Sequence, residues 1–290
     1  MIMLLILIAI LFGVIEGITE WLPVSSTGHM ILVEEFINVT NLFTKEGVEG
    51  YGEGFWSFFL VVIQLGAIIA VIIYFWNKLW PFTSKKTKEE KVQTFHTWGK
   101  TLVACVPAAI IGLAFDSWMD EHLYKAWVVA ITLIVYGIIF IVMEVINKKR
   151  SFKIVDIKQL SYKYALIIGA MQLLALIPGT SRSGVTILGA MLIGCSRETS
   201  AEFSFYLSIP VMFGASLLKG AKFFMEFGMP GYKEIIFVAV GFITAFGISM
   251  LCVKWLMKFV KKHDFNPFGY YRIFLGIVLL TYFIVSNFLK

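Results

Sequence analysis

The chain has 290 residues, of which 59% are hydrophobic and only 15% are charged, and its mean hydropathy is +0.83. Soluble domains carry roughly 25% charged residues, so this composition excludes a soluble fold and indicates an integral membrane protein. The net charge of +6 does not indicate nucleic-acid binding, because the Lys and Arg residues lie in short loops between apolar segments. The apolar segments are too long and too uniform for the alternating strands of a barrel, which predicts an all-α polytopic membrane protein.

Six apolar segments are long enough to cross the membrane, which takes about 20 helical residues. They are residues 55–76, 98–115, 126–146, 201–218, 234–256 and 268–288. Two further apolar segments, 1–36 and 164–194, are interrupted by the polar breaks PVSSTGH and PGTSRSG. Irregular backbone at membrane depth is tolerated only where it is buried in protein or lines a wet cavity. Both segments are therefore predicted to be re-entrant helical hairpins.

The order hairpin, three spans, hairpin, three spans predicts two repeats, 1–150 and 151–290, within one membrane domain. Short echoes at corresponding positions support the duplication: GVIE and GAMQ, Pro23 and Pro178, and Ser25-Ser26 and Thr180-Ser181. Because three spans is an odd number, the second repeat enters the membrane inverted. Such an arrangement places a site near the bilayer midplane, between the repeats.

The distribution of Lys and Arg predicts the orientation of the chain. Three lysine-rich loops, 77–95, 147–163 and 257–265, fall on one side of the six-span topology. Since cytoplasmic loops carry an excess of Lys and Arg, that side is predicted to be cytoplasmic. Both termini and the mouth of the first hairpin are then expected outside.

Two carboxylates lie inside the first hairpin. Glu16 and Glu20 are four residues apart, so on a helix they share one face. A carboxylate in a membrane segment costs at least ~2.5 kcal/mol on insertion scales, and two together repel each other. A divalent cation, or one protonated carboxyl that acts as a general acid or base, would relieve this repulsion. The alternative is a structural role as polar residues beside a broken helix.

Each break is also predicted to begin a second half-helix. Pro23 ends the first half-helix, and Ser25, Ser26 or Thr27 can cap the next one. The second break has the same design, with Ser181 or Ser183 as the candidate cap. A helix N-terminus presents free N–H groups and attracts anions, so the breaks are candidate phosphate sites.

Arg182 projects from the second break. An arginine at bilayer depth needs a carboxylate or a phosphate as partner, so either a buried pair with Glu16 or Glu20 or a bound phosphate is expected. With the two breaks tip to tip, His29 can serve as general base and Ser26 as nucleophile. Two weaker candidates for lining the same cavity are Gln64 and Glu202.

The two breaks carry a resemblance to a known family. EGITEWLPVSSTGHMIL and PGTSRSGVTILGAMLIG resemble the two signatures of the undecaprenyl-diphosphate phosphatases, also called bacitracin-resistance proteins. SRETSAEFSFYLSIP, VGFITAF and NPFGYYRI are similar to family sequence as well. The resemblance therefore runs over the whole chain.

This resemblance implies hydrolysis of undecaprenyl diphosphate to undecaprenyl phosphate and inorganic phosphate in the cytoplasmic membrane of a bacterium, which recycles the lipid carrier of cell-wall synthesis. It implies a divalent cation, Mg²⁺ or Ca²⁺, for which the ligands would be Glu16 and Glu20. The implied catalytic residues are Glu16, Glu20, Ser26, His29 and Arg182. The expected substrate contacts are Ser25, Thr27, Gly28, Gly179, Ser181, Ser183 and Thr186.

A flippase or a carrier of polyprenyl phosphate or another anion is the rival prediction, because inverted repeats with broken helices also occur in transporters. Transport of a phosphate group needs a clamp but neither a nucleophile nor a base. The proximity of Ser26 and His29 to the carboxylates therefore favours the phosphatase. For the phosphatase, attack by Ser26 with His29 as base and direct attack by water with Glu20 or His29 as base both stay open.

Overall fold

The computed structural model describes residues 2–45, 47–123 and 126–288, without the side chains of 113–122, 126 and 286–288. The described residues form helices joined by short loops and contain no β-strand. The first half has seven helices: α1 (Ile2–Thr19), α2 (Ser26–Ile37), α3 (Val39–Leu42), α4 (Tyr51–Tyr74), α5 (Trp76–Leu79), α6 (Lys88–Leu123) and α7 (Ala126–Asn147). The second half has five: α8 (Tyr162–Met171), α9 (Arg182–Leu192), α10 (Arg197–Phe227), α11 (Tyr232–Phe259) and α12 (Asn266–Phe288). Two 3₁₀ helices, Ile157–Gln159 and Gln172–Leu176, precede and follow α8.

The predicted all-α membrane fold is confirmed, with one difference in which helices count as spans. Within the described residues, six helical segments are long and apolar enough to cross a membrane: Ile2–Thr19, Tyr51–Tyr74, Trp127–Asn147, Arg197–Phe227, Tyr232–Phe259 and Asn266–Val285. Five of them correspond to predicted spans. The sixth is α1, which the sequence assigns to the first hairpin. The remaining predicted span, 98–115, lies within α6 and runs into the stretch whose side chains are not described.

The re-entrant hairpins fit the helix lengths and stay a prediction. Helices α2, α8 and α9 have 12, 10 and 11 residues, and each is too short to cross about 30 Å of hydrocarbon. Helix α1 is longer, with 18 residues, or about 27 Å at 1.5 Å per residue. The first hairpin therefore has one long arm and one short arm, whereas both arms of the second are short.

The helices pack in pairs that correspond between the two halves. Helix α1 packs against α11, and α8 packs against α6; α4 packs against α10, and α7 packs against α12. Helix α4 also packs against α11, and α10 packs against α6. Exchanging α1 with α8, α4 with α10, α6 with α11 and α7 with α12 maps this set of pairs onto itself. That correspondence fits the predicted duplication, and the inversion of the second repeat in the membrane stays a prediction.

Glycines at corresponding positions permit two of these helix pairs to approach closely. A Cβ atom on Gly13 would lie 2.7 Å from the carbonyl oxygen of Gly241 in α11. A Cβ atom on Gly169 would likewise collide with the backbone of Ala104 in α6. Small residues at such crossings let membrane helices pack backbone to backbone. The GVIE and GAMQ echoes thus have the same packing role.

The lysine-rich loops meet at one end of the molecule, around the beginning of α10. Lys78 contacts the carboxylate of Glu202 at 2.6 Å, and Lys261 contacts Glu198 at 3.0 Å. Both carboxylates lie in the first two turns of α10, so loops 77–95 and 257–265 lie together. Arg197 in turn bonds Glu144, near the end of α7, which brings loop 147–163 to the same end.

Candidate active site

In each break a serine caps the helix that follows. Ser25 accepts the backbone N–H of Gly28 at 3.2 Å, and Ser181 accepts that of Gly184 at 3.1 Å. Both serines have left-handed backbone angles, with φ of 76° and 73°. Residues other than glycine rarely adopt such angles, so the breaks share an unusual geometry as well as a cap. The caps are Ser25 and Ser181, and not Ser26, Thr27 or Ser183.

The two caps correct the sequence echo by one residue. In the structure SSTG at 25–28 corresponds to SRSG at 181–184, so Ser25 matches Ser181 and the predicted match of Ser25-Ser26 with Thr180-Ser181 is wrong. The cap follows Pro23 by two residues but follows Pro178 by three. The second break therefore contains one additional residue and includes Gly179 at φ 83°. A sequence comparison that aligns the two prolines does not reveal this insertion.

Ser26 and Arg182, which occupy the corresponding positions after the two caps, meet on one carboxylate. The Ser26 hydroxyl donates to Oε2 of Glu20 at 2.6 Å, and Nη2 of Arg182 donates to Oε1 at 2.8 Å. Nη1 of Arg182 donates to the carbonyl of Ser204 at 3.0 Å. Of the two carboxylates expected to pair with Arg182, Glu20 is the one that does so. The backbone of Glu20 is also bound, because the Ser183 hydroxyl donates to its carbonyl at 3.0 Å.

Glu16 lies one helical turn before Glu20. The Glu20 amide donates to the Glu16 carbonyl at 3.1 Å, so the helical turn continues to Glu20 and the two residues share a face. The Glu16 side chain is buried, and among the described residues its Oε1 atom has no hydrogen-bond partner. A buried carboxylate oxygen without a donor is costly. A proton or a cation on this oxygen would lower that cost, although Glu16 is not among the residues that line the cavity described below.

The side chain of His29 is hydrogen-bonded to Ser25 and Tyr271, and not to Ser26 as the sequence predicts. Its Nδ1 lies 2.8 Å from the carbonyl oxygen of Ser25, which can only accept, so Nδ1 carries the proton. Its Nε2 lies 2.7 Å from the hydroxyl of Tyr271 on α12, which is the donor when the imidazole is neutral. The two rings are parallel, with centroids 5.7 Å apart. Ser26 is hydrogen-bonded to Glu20 and not to His29, so the group next to the candidate nucleophile is the Glu20 carboxylate.

A cavity of about 120 Å³ opens between the two breaks. Its polar lining comes from both breaks: Glu20, Ser26, Thr27, Gly179, Ser181, Arg182 and Ser183. Gln64 of α4, Met212 of α10 and the apolar segment 175–178 also line it. Gln64 thus lies where the sequence suggests, whereas the Glu202 carboxylate bonds Lys78 and Tyr206 at the lysine-rich end.

Three of the predicted substrate contacts lie behind this lining. Ser25 and Gly28 are buried in the first cap. Thr186 is buried in α9, where its hydroxyl lies 2.7 Å from that of Ser204. These residues support the walls of the cavity. His29, too, is outside the lining.

Sequence reasoning gave no role to two neighbouring residues of α12. Tyr271 binds His29, and Arg272 is fully buried beside the two breaks. Both belong to the segment NPFGYYRI, more than 85 residues from either break. An arginine inside an apolar helix is the one signal that could have drawn attention to it.

Comparison with known proteins identifies the family. A family model described as "Bacitracin resistance protein BacA" matches residues 9–278. The chain belongs to this family. BacA relatives named "Undecaprenyl-diphosphatase" include one from Acetivibrio thermocellus, 55% identical over 95% of this chain and 97% of the relative, and one from Enterococcus faecalis, 53% identical over 96% and 97%. "Undecaprenyl-diphosphatase 1" of Clostridioides difficile is 50% identical over 95% of each chain.

The oxygen donors of this BacA protein fit a hard divalent cation. Glu16 and Glu20 supply carboxylate oxygens on one helix face, and Glu16 Oε1 lacks a partner among the described residues. No group of three His, Cys, Asp or Glu side chains in the described part of the chain forms a complete metal site. Mg²⁺ typically binds one or two carboxylates, with substrate phosphates and water as the other ligands. The donor set therefore fits a cation that binds together with a phosphorylated substrate.

Proposed function

We propose that this BacA protein hydrolyses undecaprenyl diphosphate to undecaprenyl phosphate and inorganic phosphate in a bacterial membrane. The relatives named for that activity match this chain over nearly their whole length. The observation that supports it best is the Glu20 carboxylate, which binds the Ser26 hydroxyl on one oxygen and Arg182 on the other. A nucleophile, a base and an anion-binding group thus lie within one cluster of hydrogen bonds. The product would re-enter cell-wall synthesis as its lipid carrier.

The position of the cluster suits a lipid diphosphate. The apolar chain of such a substrate stays in the membrane, and its charged end must reach a polar cavity at depth. Arg182 and the N-termini of α2 and α9 would bind the diphosphate oxygens, because a guanidinium and free N–H groups both favour phosphate. A divalent cation held by Glu16 and Glu20 would neutralise part of the charge on the diphosphate when it is bound.

The hydrogen bond from Ser26 to Glu20 supports a covalent route. In the first step the Ser26 oxygen attacks the terminal phosphorus while its proton passes to Glu20. The bond between that phosphorus and the bridging oxygen breaks, and undecaprenyl phosphate leaves with the bridging oxygen. In the second step water attacks the phosphoserine and the bond between phosphorus and the Ser26 oxygen breaks. The Ser26 oxygen takes back the proton held by Glu20, and inorganic phosphate leaves with the oxygen and both protons of the water. Direct attack by water, with Glu20 as base, is the competing route.

The decisive experiment measures phosphate release. Purified protein is incubated with a polyprenyl diphosphate, with Mg²⁺, with Ca²⁺ or with EDTA, and inorganic phosphate is determined. We expect release that depends on the cation and that EDTA abolishes. No release from the intact protein under any of these conditions would contradict the phosphatase and favour the carrier, which a lipid transbilayer assay in vesicles then tests.

Substitution of Ser26 separates the two chemical routes. Ser26→Ala is compared with Ser216→Ala, which removes a buried hydroxyl of α10 that donates to Val61 at 3.0 Å, outside the cavity. On the covalent route we expect Ser26→Ala to lose turnover at least about 100-fold and acid-quenched wild-type enzyme to carry phosphate on the peptide with Ser26. Near-normal turnover by Ser26→Ala would establish the direct attack by water.

A further inference from the structure

Arg272 of α12 is fully buried and bonds both breaks at once. Its Nη1 donates to the carbonyl oxygen of Pro23 at 3.1 Å, in the first break. Its Nη2 donates to the carbonyls of Gly179 at 2.9 Å and Thr180 at 3.1 Å, in the second. One guanidinium on the last helix therefore links the two breaks.

The hydrogen-bond partners of the Arg272 guanidinium are neutral carbonyls instead of a carboxylate. Among the described residues Arg272 has no carboxylate within ion-pair distance, and its buried Nε atom has no hydrogen-bond partner. The centroid of the Tyr136 ring lies 5.8 Å from the guanidinium carbon. Burying an arginine without a counter-charge is unfavourable, and an apolar side chain would be the cheaper filling. The three carbonyls accept hydrogen bonds from its two terminal nitrogens and offset part of this cost. They lie outside the helices and receive no other hydrogen bond within the described part of the chain.

The three carbonyls lie next to the two strained caps. Pro23 precedes the cap Ser25 by two residues, and Thr180 directly precedes the cap Ser181. Left-handed angles on serine persist only where the surroundings hold them. The residue after each cap, Ser26 in one break and Arg182 in the other, binds Glu20. The conformation of the breaks thus decides how these two side chains approach the carboxylate.

We propose that Arg272 is a positioning residue that holds both breaks in register, so that Ser26 and Arg182 meet on Glu20. Its planar fork explains why the residue is arginine. The two terminal nitrogens point to different breaks, whereas a lysine ammonium is a single point that cannot reach both in this way. The expected change of kcat rests on the proposed function. The expected change of backbone order in the two breaks does not.

Backbone amide hydrogen exchange tests the structural part on purified full-length protein. Arg272→Met and the milder Arg272→Lys are compared with wild type, with peptides that cover 19–28 and 176–186. We expect faster exchange in both breaks for both variants, because neither side chain spans them. Thr132→Val is the matched control: the Thr132 hydroxyl donates to the carbonyl of Pro178 at 2.8 Å, so its loss is expected to affect the second break alone.

Arg197→Met controls for the loss of a partly buried arginine elsewhere. Its guanidinium bonds Glu144, so we expect lower thermal stability with unchanged exchange in both breaks. For phosphate release we expect Arg272→Lys to lower kcat about 10- to 100-fold, with a smaller change of KM. Unchanged exchange in both breaks, or full rescue of exchange and kcat by lysine, would overturn the proposal. If the Arg272 variants exchange faster in both breaks but the wild-type protein releases no phosphate, the result supports the positioning role and contradicts only the proposed function.

Discussion

At the scale of single residues, Glu20 connects the two halves of the site. Its two carboxylate oxygens bind side chains from different breaks, and its backbone carbonyl binds Ser183. Glu16, one turn away, has an oxygen without a partner among the described residues. The two carboxylates therefore differ: each oxygen of Glu20 already accepts one hydrogen bond, whereas Glu16 has an oxygen that accepts none within the described part of the chain.

Replacing Glu20 by glutamine is expected to abolish most activity. The amide cannot take the proton of Ser26, and it leaves Arg182 without its counter-charge. We predict a loss of phosphate release of at least about 100-fold. Glu35→Gln, which changes an exposed carboxylate of α2, should retain wild-type turnover. Similar losses in both variants would point to a general effect of charge and against the assigned role.

Gln64 is expected to contact the substrate. It lines the cavity from α4, and no hydrogen bond of its side chain occurs among the described residues. Its amide can both donate to and accept from a phosphate group or its water. We predict that Gln64→Leu raises KM for the diphosphate on the order of 10-fold with a smaller change of kcat. The control is Gln93→Leu in α6, outside the cavity, and equal KM values in the two variants would contradict the contact.

At the scale of elements, each break is a proline-containing loop followed by a strained serine cap. The second loop holds one more residue, and Gly179 there has a φ of 83°. A Cβ atom at this position would also lie 2.8 Å from the backbone of Val129 in α7. Both the backbone angle and the close approach therefore require glycine.

Gly179→Ala is expected to destabilise the protein by about 1–3 kcal/mol, because alanine is strained at this angle and collides with α7. Gly247→Ala provides the matched control, since Gly247 lies within α11 with open space around it. Alanine is favoured in a helix by about 1 kcal/mol over glycine, so the control should unfold at the same or a higher temperature. Thermal unfolding in detergent measures both variants. A Gly179→Ala protein as stable as the control would contradict this prediction and would show that α7 moves to make room for the methyl group.

At the scale of the whole molecule, the chain is a multi-pass membrane protein with its lysine-rich loops at one end. The contacts of Lys78 and Lys261 with the beginning of α10 bring two of these loops together. We propose that this end is cytoplasmic, since basic loops are retained inside. The termini would then lie outside.

Cysteine labelling in intact cells tests this orientation. We predict that Asn41→Cys, in the short helix α3, reacts with a membrane-impermeant maleimide from outside, and that Val155→Cys reacts only after permeabilisation. Both positions are exposed. The wild-type protein gives the background, because Cys195 and Cys252 are buried and Cys105 is partly buried. The reverse labelling pattern would invert the topology.

Sequence alone determined the properties that depend on local composition. Segment length and hydropathy identified the membrane fold, and the two polar breaks singled out Glu20, Ser26 and Arg182. A charge or a proline inside an apolar helix is costly wherever the chain folds, so such residues are visible without a structure. The same reasoning placed Gln64 near the cavity.

Only the tertiary structure decided which of these groups touch. Ser26 bonds Glu20 instead of His29, and His29 bonds Tyr271, 242 residues away in the chain. Arg272 reaches Pro23 from 249 residues away. Contacts at such separations depend on how helices cross and on single-residue insertions such as that at Gly179. Periodicity and spacing carry no signal for them, because a hydrogen bond is made or lost within a few tenths of an ångström.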